Sequence, residues 1–197
     1  MTILVTIALI LAAAPLAGWL YQQAGLRRDR RLLPPPGEIR DGIHLVWRGH
    51  AGPPVILEAG IAATSLTWAR VLDHLPEDRL IVAYDRRGFG WSPAADSPRT
   101  LDNLAADLLR VFDLAEIREP AILVGHSFGG LLVRRFAQLH PDRVAALLLL
   151  DPLESIEWHP LAAGKEARLA RGVMLLRRGA LLSRLGVVRF ALDMLMS

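Results

Sequence analysis

The stretch that most constrains this chain is Ala121 to Gly130, A-I-L-V-G-H-S-F-G-G. Ala121 to Val124 is a short apolar run of the kind that forms a buried strand, and Leu131 to His140 places Leu132, Phe136 and Leu139 at helical spacing. Between them stands Gly125-His126-Ser127-Phe128-Gly129, a G-x-S-x-G. A serine on a sharp strand-to-helix turn is held in a strained backbone conformation, with its hydroxyl pushed out above the sheet. Side chains at 125 and 129 would strike the neighbouring backbone, so glycine suits both positions. The turn also leaves the Phe128 N–H at a helix N-terminus, where it can bind a developing oxyanion. The alternative is a serine that merely caps a helix in a glycine-rich loop. The flanking strand and helix favour the nucleophile.

The remaining elements point to a layered α/β chain. Glu38 to Arg48 reads as a hairpin turning at Asp41-Gly42, with Ile43, Leu45 and Trp47 alternating with polar residues. Val55 to Leu57 and Leu80 to Tyr84 are buried strands. Thr64 or Ser65 opens a helix carrying Leu66, Val71, Leu72 and Leu75, which Pro76 stops. Thr100 caps an amphipathic helix with Leu101, Leu104, Leu108 and Val111 on one face. Pro141 ends the helix after the serine, and Val144 to Leu150 is a very apolar strand leading into Asp151-Pro152. Strands read as continuous apolar runs and alternating with helices imply a mostly parallel sheet with helices on both faces. After Leu153 no strand pattern follows; Glu154 to Gly164 reads as loop, and Lys165 to Met196 as an amphipathic helical tail interrupted at Gly172, Gly179 and Gly186.

Composition narrows the function. The 197 residues contain no cysteine, which excludes disulfides, thiolate metal sites and a cysteine nucleophile. The net charge of +3 is carried almost wholly by scattered arginines, with one cluster at Arg27, Arg28, Arg30 and Arg31 and no basic stripe interleaved with aromatics, so no nucleic-acid partner is expected. No metal-ligand cluster occurs, and the glycines after Asp85 lack the spacing of a dinucleotide or nucleotide loop, so no cofactor is expected. Met1 to Leu26 carries no charged side chain; Thr2 to Tyr21 is about the roughly 20 residues a bilayer-spanning helix needs, with Trp19 and Tyr21 at one end and the arginine cluster behind them. That pattern predicts a membrane anchor with the rest of the chain in the cytoplasm. The alternative is a cleaved signal peptide with Ala12, Ala13, Ala14 and Ala17 near the cleavage point, which would export the domain. Pro34-Pro35-Pro36 reads as a stiff spacer.

Gly125-His126-Ser127-Phe128-Gly129-Gly130, together with Asp85-Arg86-Arg87-Gly88-Phe89-Gly90-Trp91-Ser92, Leu57-Glu58-Ala59-Gly60 and the strand ending Leu150-Asp151-Pro152, resembles the α/β-hydrolase superfamily over about residues 38 to 160. The resemblance implies an α/β-hydrolase fold lacking its last two strands, on a bacterial, membrane-anchored chain. The expected organisation is an anchor over residues 1–26, a basic and proline-rich linker over 27–37, a hydrolase core over 38–152 and the start of a helical cap over 153–197. By the same resemblance Ser127 is the nucleophile, and the oxyanion donors are the N–H groups of Phe128 and Ile61, with Ala59-Gly60 standing where many members have His-Gly. Asp85 looks like a loop-shaping aspartate tied to Arg86, Arg87 or free N–H groups. Serine rather than aspartate at the nucleophile position argues against the epoxide-hydrolase and haloalkane-dehalogenase branches and fits acyl transfer on esters, thioesters, lactones or amides.

In the family the acid usually follows the seventh strand and the histidine the eighth; neither strand is present. Asp151 ends the sixth strand, where some members place the acid, but it reads equally as a turn-capping aspartate, and the turn is favoured. His44, His50, His74 and His140 read as surface or element-end residues, His126 as an elbow residue pointing away from Ser127, and His159 as part of the start of the cap. The sequence therefore resembles the first two-thirds of a serine esterase or lipase acting on a small acyl substrate, its base missing from the chain, with truncation the expected reason. The alternative is a catalytically inactive, membrane-anchored binding protein of hydrolase-like fold. A third reading gives the helical tail a membrane-surface role.

Overall fold

The computed structural model describes residues 2–153 and 163–196. The chain divides into two compact units, Pro35–Trp158 and a helical unit of Met1–Pro34 with His159–Ser197.

The first unit is a six-stranded sheet. β1 (Glu38–Arg40) and β2 (Ile43–Arg48) form the hairpin expected from Asp41-Gly42, whose φ values of 44° and 73° place both turn residues in the left-handed region that short hairpins require. β3 (Val55–Glu58), β4 (Ile81–Tyr84), β5 (Ala121–His126) and β6 (Val144–Leu150) complete the order β1-β2-β4-β3-β5-β6. β2 runs antiparallel to β4, and the β4, β3, β5 and β6 pairings are all parallel. β3 thus lies between β4 and β5, and the carboxyl ends of β3, β5 and β6 come side by side: Glu58 pairs with Gly125, and His126 with Leu150.

Each face of the sheet has its own core. On one, α3 (Leu101–Leu114) and α4 (Phe128–Leu139) bury Leu104, Leu108, Phe112, Leu132 and Phe136 against Ile43, Leu45, Ile56, Val82 and Leu123. On the other, Trp68 and Leu72 cover Leu57, Ile81, Ala83 and Val124. The helix expected after Thr64 begins as a 3-10 turn, Ser65–Trp68, and becomes α2 only over Ala69–His74. Thr100 caps α3 as expected: its side chain accepts from the Asn103 N–H at 3.2 Å. Among the described residues β6 is an edge strand of the sheet, and Leu147, Leu148 and Leu150 are exposed along it.

The helical unit corrects two expectations. Among the described residues no helix is long and apolar enough to cross a membrane, so the anchor expected over residues 1–26 is not supported. α1 spans Thr2–Leu32. The helix does not end with the apolar run but continues through Gln22, Gln23, Arg27, Arg28, Asp29, Arg30 and Arg31, and of these Gln22 and Asp29 join it to α6 (Val187–Met196). Tyr21 donates to Asp193, and Arg189 donates to Gln22 at 3.1 Å and to Asp29 at 2.5 Å. The second correction concerns the tail. α5 (Ala163–Arg184) runs unbroken through Gly172 and Gly179, where a Cβ would meet nothing within 4 Å. A solvent-facing glycine costs a helix only about 1 kcal/mol, which is not enough to break it. The break comes at Gly186, whose φ of 73° ends the run. The apolar residues of α5 are also spread round the helix rather than gathered on one face, with Leu169, Leu175, Leu176 and Leu181 all exposed. The cap loop expected over Glu154 to Gly164, with His159, lies almost wholly outside the described residues.

Candidate active site

β5 leads into α4 through a single residue, Ser127, at φ 51° and ψ −117°. Few non-glycine residues adopt this conformation, and it persists only where the surroundings enforce it. Three backbone hydrogen bonds do so. Ser127 N–H donates to Leu150 O at 3.0 Å, and Ser127 O accepts from Gly130 N–H at 3.0 Å and from Leu153 N–H at 2.9 Å. The chain leaving β6 therefore buttresses the turn from below. The two flanking glycines behave as the sequence implied. A Cβ at Gly125 would lie 2.7 Å from the Gly129 carbonyl carbon and from Gly130 Cα, and one at Gly129 would lie 2.7 Å from Ala59 O and collide with the Glu58 carbonyl. α4 is pressed this closely onto the end of β3, which brings the loop after β3 beside the serine: a Cβ at Gly60 would stand 3.5 Å from Ser127 Cβ.

That loop holds Ile61, which is 72% exposed, followed by Ala62 at φ 54°. Phe128 is the first residue of α4, where the helix offers its N–H no intrahelical acceptor. Ser127, Phe128 and Ile61 are therefore gathered at the carboxyl ends of β5 and β3. Asp151 follows Leu150 at the same end of the adjacent strand β6; it is exposed and adopts φ 45°. The histidines divide differently from expectation. His74 is exposed and its Nδ1 lies 2.7 Å from Arg70 O; His140 is half-buried with its ring against Phe136. His126 turns its Nδ1 toward Gly60, 3.2 Å from where a Cβ would stand. Among the described residues no histidine is hydrogen-bonded to Ser127.

His44 is the exception to its expected surface placement. It is fully buried, and its Nδ1 lies 2.9 Å from Asp85 Oδ2. Hairpin alternation assigns His44 to a polar face, but the loop after β4 folds over that face and Trp91 lies against the imidazole at 4.9 Å. Asp85 is the hub of this loop. It accepts from Ser65 N–H at 2.7 Å and Trp91 N–H at 3.0 Å, its own carbonyl accepts from Ser92 Oγ at 2.7 Å, and Ser92 Oγ in turn accepts from His44 N–H at 2.9 Å. The loop-shaping role expected of it holds, through N–H groups and His44 rather than the neighbouring arginines. Burial alone would push the Asp85 carboxyl up; the hydrogen bonds from His44, Ser65 and Trp91 outweigh it and hold the group below the usual carboxylate value. The stability this carries is present above about pH 4 and is lost as pH falls through the depressed folded value. Asp85→Asn places an NH₂ among donors, and urea unfolding at pH 7 should show a loss of about 2–3 kcal/mol that shrinks in acid.

A second buried cluster was not legible as such. Glu58 and Arg86 are 1% and 4% exposed and form an ion pair; Tyr84 donates to the same carboxylate. Arg86 also donates from Nη1 to Ala59 O at 2.6 Å and from Nη2 to Gly60 O. Its guanidinium lies 5.5 Å from the centre of the Phe128 ring. Burial pushes the Glu58 carboxyl up, with Arg86 and Tyr84 pulling against it; the Tyr84 hydroxyl is driven well above its ordinary value by burial and by the Glu58 carboxylate. The available signal was a glutamate ending an apolar strand, Val55-Ile56-Leu57-Glu58, which needs a cation once buried.

The profile of the alpha/beta hydrolase fold family matches residues 53–176, more than half of the chain. The chain belongs to that family. It is 36% identical over 129 residues to lipase LipV of Mycobacterium tuberculosis, covering 65% of this chain and 48% of LipV. Among solved structures it is similar to a thermophilic esterase from Thermogutta terrifontis, with a TM-score of 0.60 and 26% identity over 69% of this chain and 48% of the esterase. It is also similar to epoxide hydrolase CorEH, with a TM-score of 0.53 and 26% identity over 58% and 41% of the two chains. The chain spans about half the length, or less, of the relatives it matches. One fold thus hosts esterases, lipases and epoxide hydrolases, so the fold by itself does not decide the chemistry.

Proposed function

We propose that this alpha/beta hydrolase acts as a serine hydrolase on carboxylic esters or related acyl substrates. Ser127 is the attacking nucleophile, its proton passing to a base that this reading does not assign to any described histidine, and the Phe128 and Ile61 N–H groups receive the negative charge that develops on the carbonyl oxygen. The observation that carries the reading is the backbone of Ser127, held at φ 51° and ψ −117° between β5 and α4 by three hydrogen bonds. A capping serine needs no such conformation, since Ncap residues ordinarily sit in the β region; an exposed nucleophile does. The similarity to a lipase and an esterase supports the same class of substrate. Asp151, at the matching end of β6, is the carboxylate of this reading that would orient a base.

A second reading has one observation in its favour: among the described residues, no histidine bonds to Ser127. A serine without a base is a poor nucleophile, and such a chain would bind an acyl ligand without turning it over. A fluorophosphonate probe separates the two. The folded chain is expected to gain one phosphonyl group on the peptide containing Ser127, with parallel loss of short-chain aryl-ester hydrolysis. A chain that unfolds cooperatively yet takes up no label at Ser127 overturns the hydrolase and leaves the binding protein.

A further inference from the structure

The Glu58–Tyr84–Arg86 cluster lies directly behind the loop that carries Ile61. Gly60 C=O and Ile61 N–H belong to one planar trans peptide, so they point in opposite directions. Arg86 Nη2 donates to that carbonyl, and Nη1 of the same guanidinium donates to Ala59 O at 2.6 Å. A rigid planar fork bonded to two successive carbonyls fixes the rotation of both peptides. Holding Gly60 O inward turns Ile61 N–H outward, away from the cluster. The guanidinium is itself fixed on its far side by Glu58, which Tyr84 completes, and it stands 5.5 Å from the ring of Phe128, whose backbone carries the other donor.

Building on the hydrolase reading, we propose that Arg86, braced by Glu58 and Tyr84, is the positioning residue that aims the Ile61 N–H as the second oxyanion donor. Arg86 touches no reacting atom; it acts through the Gly60–Ile61 peptide. The arrangement also accounts for a buried charge in this place. A surface arginine would lose its grip on two carbonyls to water, whereas a guanidinium 4% exposed keeps them. The desolvation of that charge is offset by the carboxylate of Glu58 and by the two backbone acceptors.

The test uses the whole 197-residue chain and two independent readouts. Arg86→Lys keeps the charge beside Glu58 but replaces the two-pronged fork by a point donor. For aryl-ester hydrolysis it is expected to lower kcat about 10- to 100-fold, with KM within about twofold, because an oxyanion donor acts on the transition state and hardly on bound substrate. Backbone ¹⁵N order parameters at Gly60 and Ile61 are expected to fall from about 0.85 to below about 0.6, while those of β5 and α3 stay high. Glu58→Gln, which removes the charge and sets an NH₂ among the donors Arg86 and Tyr84, is expected to move both readouts in the same direction with a fall of about fivefold in kcat, and it stands in should Arg86→Lys fail to fold. Unchanged order parameters at Gly60 and Ile61 overturn the proposal, as does a loosened loop with kcat intact. A wild-type chain that neither turns over ester nor labels at Ser127 overturns the hydrolase reading instead, and the order parameters then decide by themselves whether Arg86 holds the Gly60–Ile61 peptide.

Discussion

Ser127→Gly is expected to abolish ester hydrolysis and, at the same time, to make the fold more stable. The two effects have one cause. At φ 51° and ψ −117° the serine occupies a region that glycine enters freely and that costs other residues about 1–3 kcal/mol. Glycine removes that strain and gives back about 0.5–1 kcal/mol through its larger unfolded-state entropy, leaving a net gain of about 1 kcal/mol. The three hydrogen bonds at this turn all use backbone N–H and C=O groups, so they survive the substitution. Loss of the proposed nucleophile should bring aryl-ester turnover down to what binding and the oxyanion donors supply by themselves. Denaturant unfolding read beside aryl-ester turnover checks both halves. Turnover near the wild-type rate would remove Ser127 from the mechanism. A variant less stable than wild type would mean that the turn is not strained.

Gly129→Ala carries the largest expected loss of stability. Its Cβ would lie 2.7 Å from Ala59 O and 2.9 Å from Glu58 Cγ, and would collide with the Glu58 carbonyl. These are backbone atoms at the end of a central strand and in the loop that Arg86 holds, together with a buried side chain in an ion pair, so none can readily swing aside. Overpacking ordinarily costs 1–3 kcal/mol where side chains can adjust; here we expect about 3 kcal/mol or more, measured as a shift of the urea midpoint at unchanged slope. The strain should reach the proposed site as well, because relieving it means moving α4 away from β3 and so separating the Phe128 and Ile61 donors. Gly172→Ala, in a solvent-facing turn of α5 where nothing lies within 4 Å, provides the control and should be neutral or slightly stabilising.

The contrast between these glycines also marks how far reading the chain in one dimension reaches. Gly129 was legible only through the motif, since the atoms its side chain would strike, Glu58 O and Ala59 O, come from the end of β3. Gly125 was legible because the motif around it is local: strand, turn and helix lie within twenty residues, and its side chain would strike Gly129 and Gly130. The Asp41-Gly42 turn and the Thr100 cap were legible for the same reason, each resting on atoms three residues apart or fewer. Gly172 and Gly179 were misread as breaks because a propensity of about 1 kcal/mol says only what a helix loses, not whether its neighbours carry it through. The span expected from the apolar stretch at the N-terminus is not supported among the described residues, and what the apolar run could not show is that α1 continues to Leu32 and that its Gln22 and Asp29 have a partner in Arg189 of α6, 160 residues or more away.

His44 and Glu58 show the same limit inside the sheet. Alternation along a hairpin assigns His44 to a polar face, and nothing near it in sequence foretells that Asp85, 41 residues on, buries it as a partner. Glu58 and Arg86 are 28 residues apart and meet because β3 lies beside β4. Chain-local chemistry was enough to point to an α/β chain of this family with a serine on a strained turn, since turns and caps are settled by atoms within a few residues of one another. The order of the strands, the arginine behind Gly60 and the partner of Asp85 were settled only when the sheet assembled, because a buried charge takes its partner from whatever the strand pairing brings within reach.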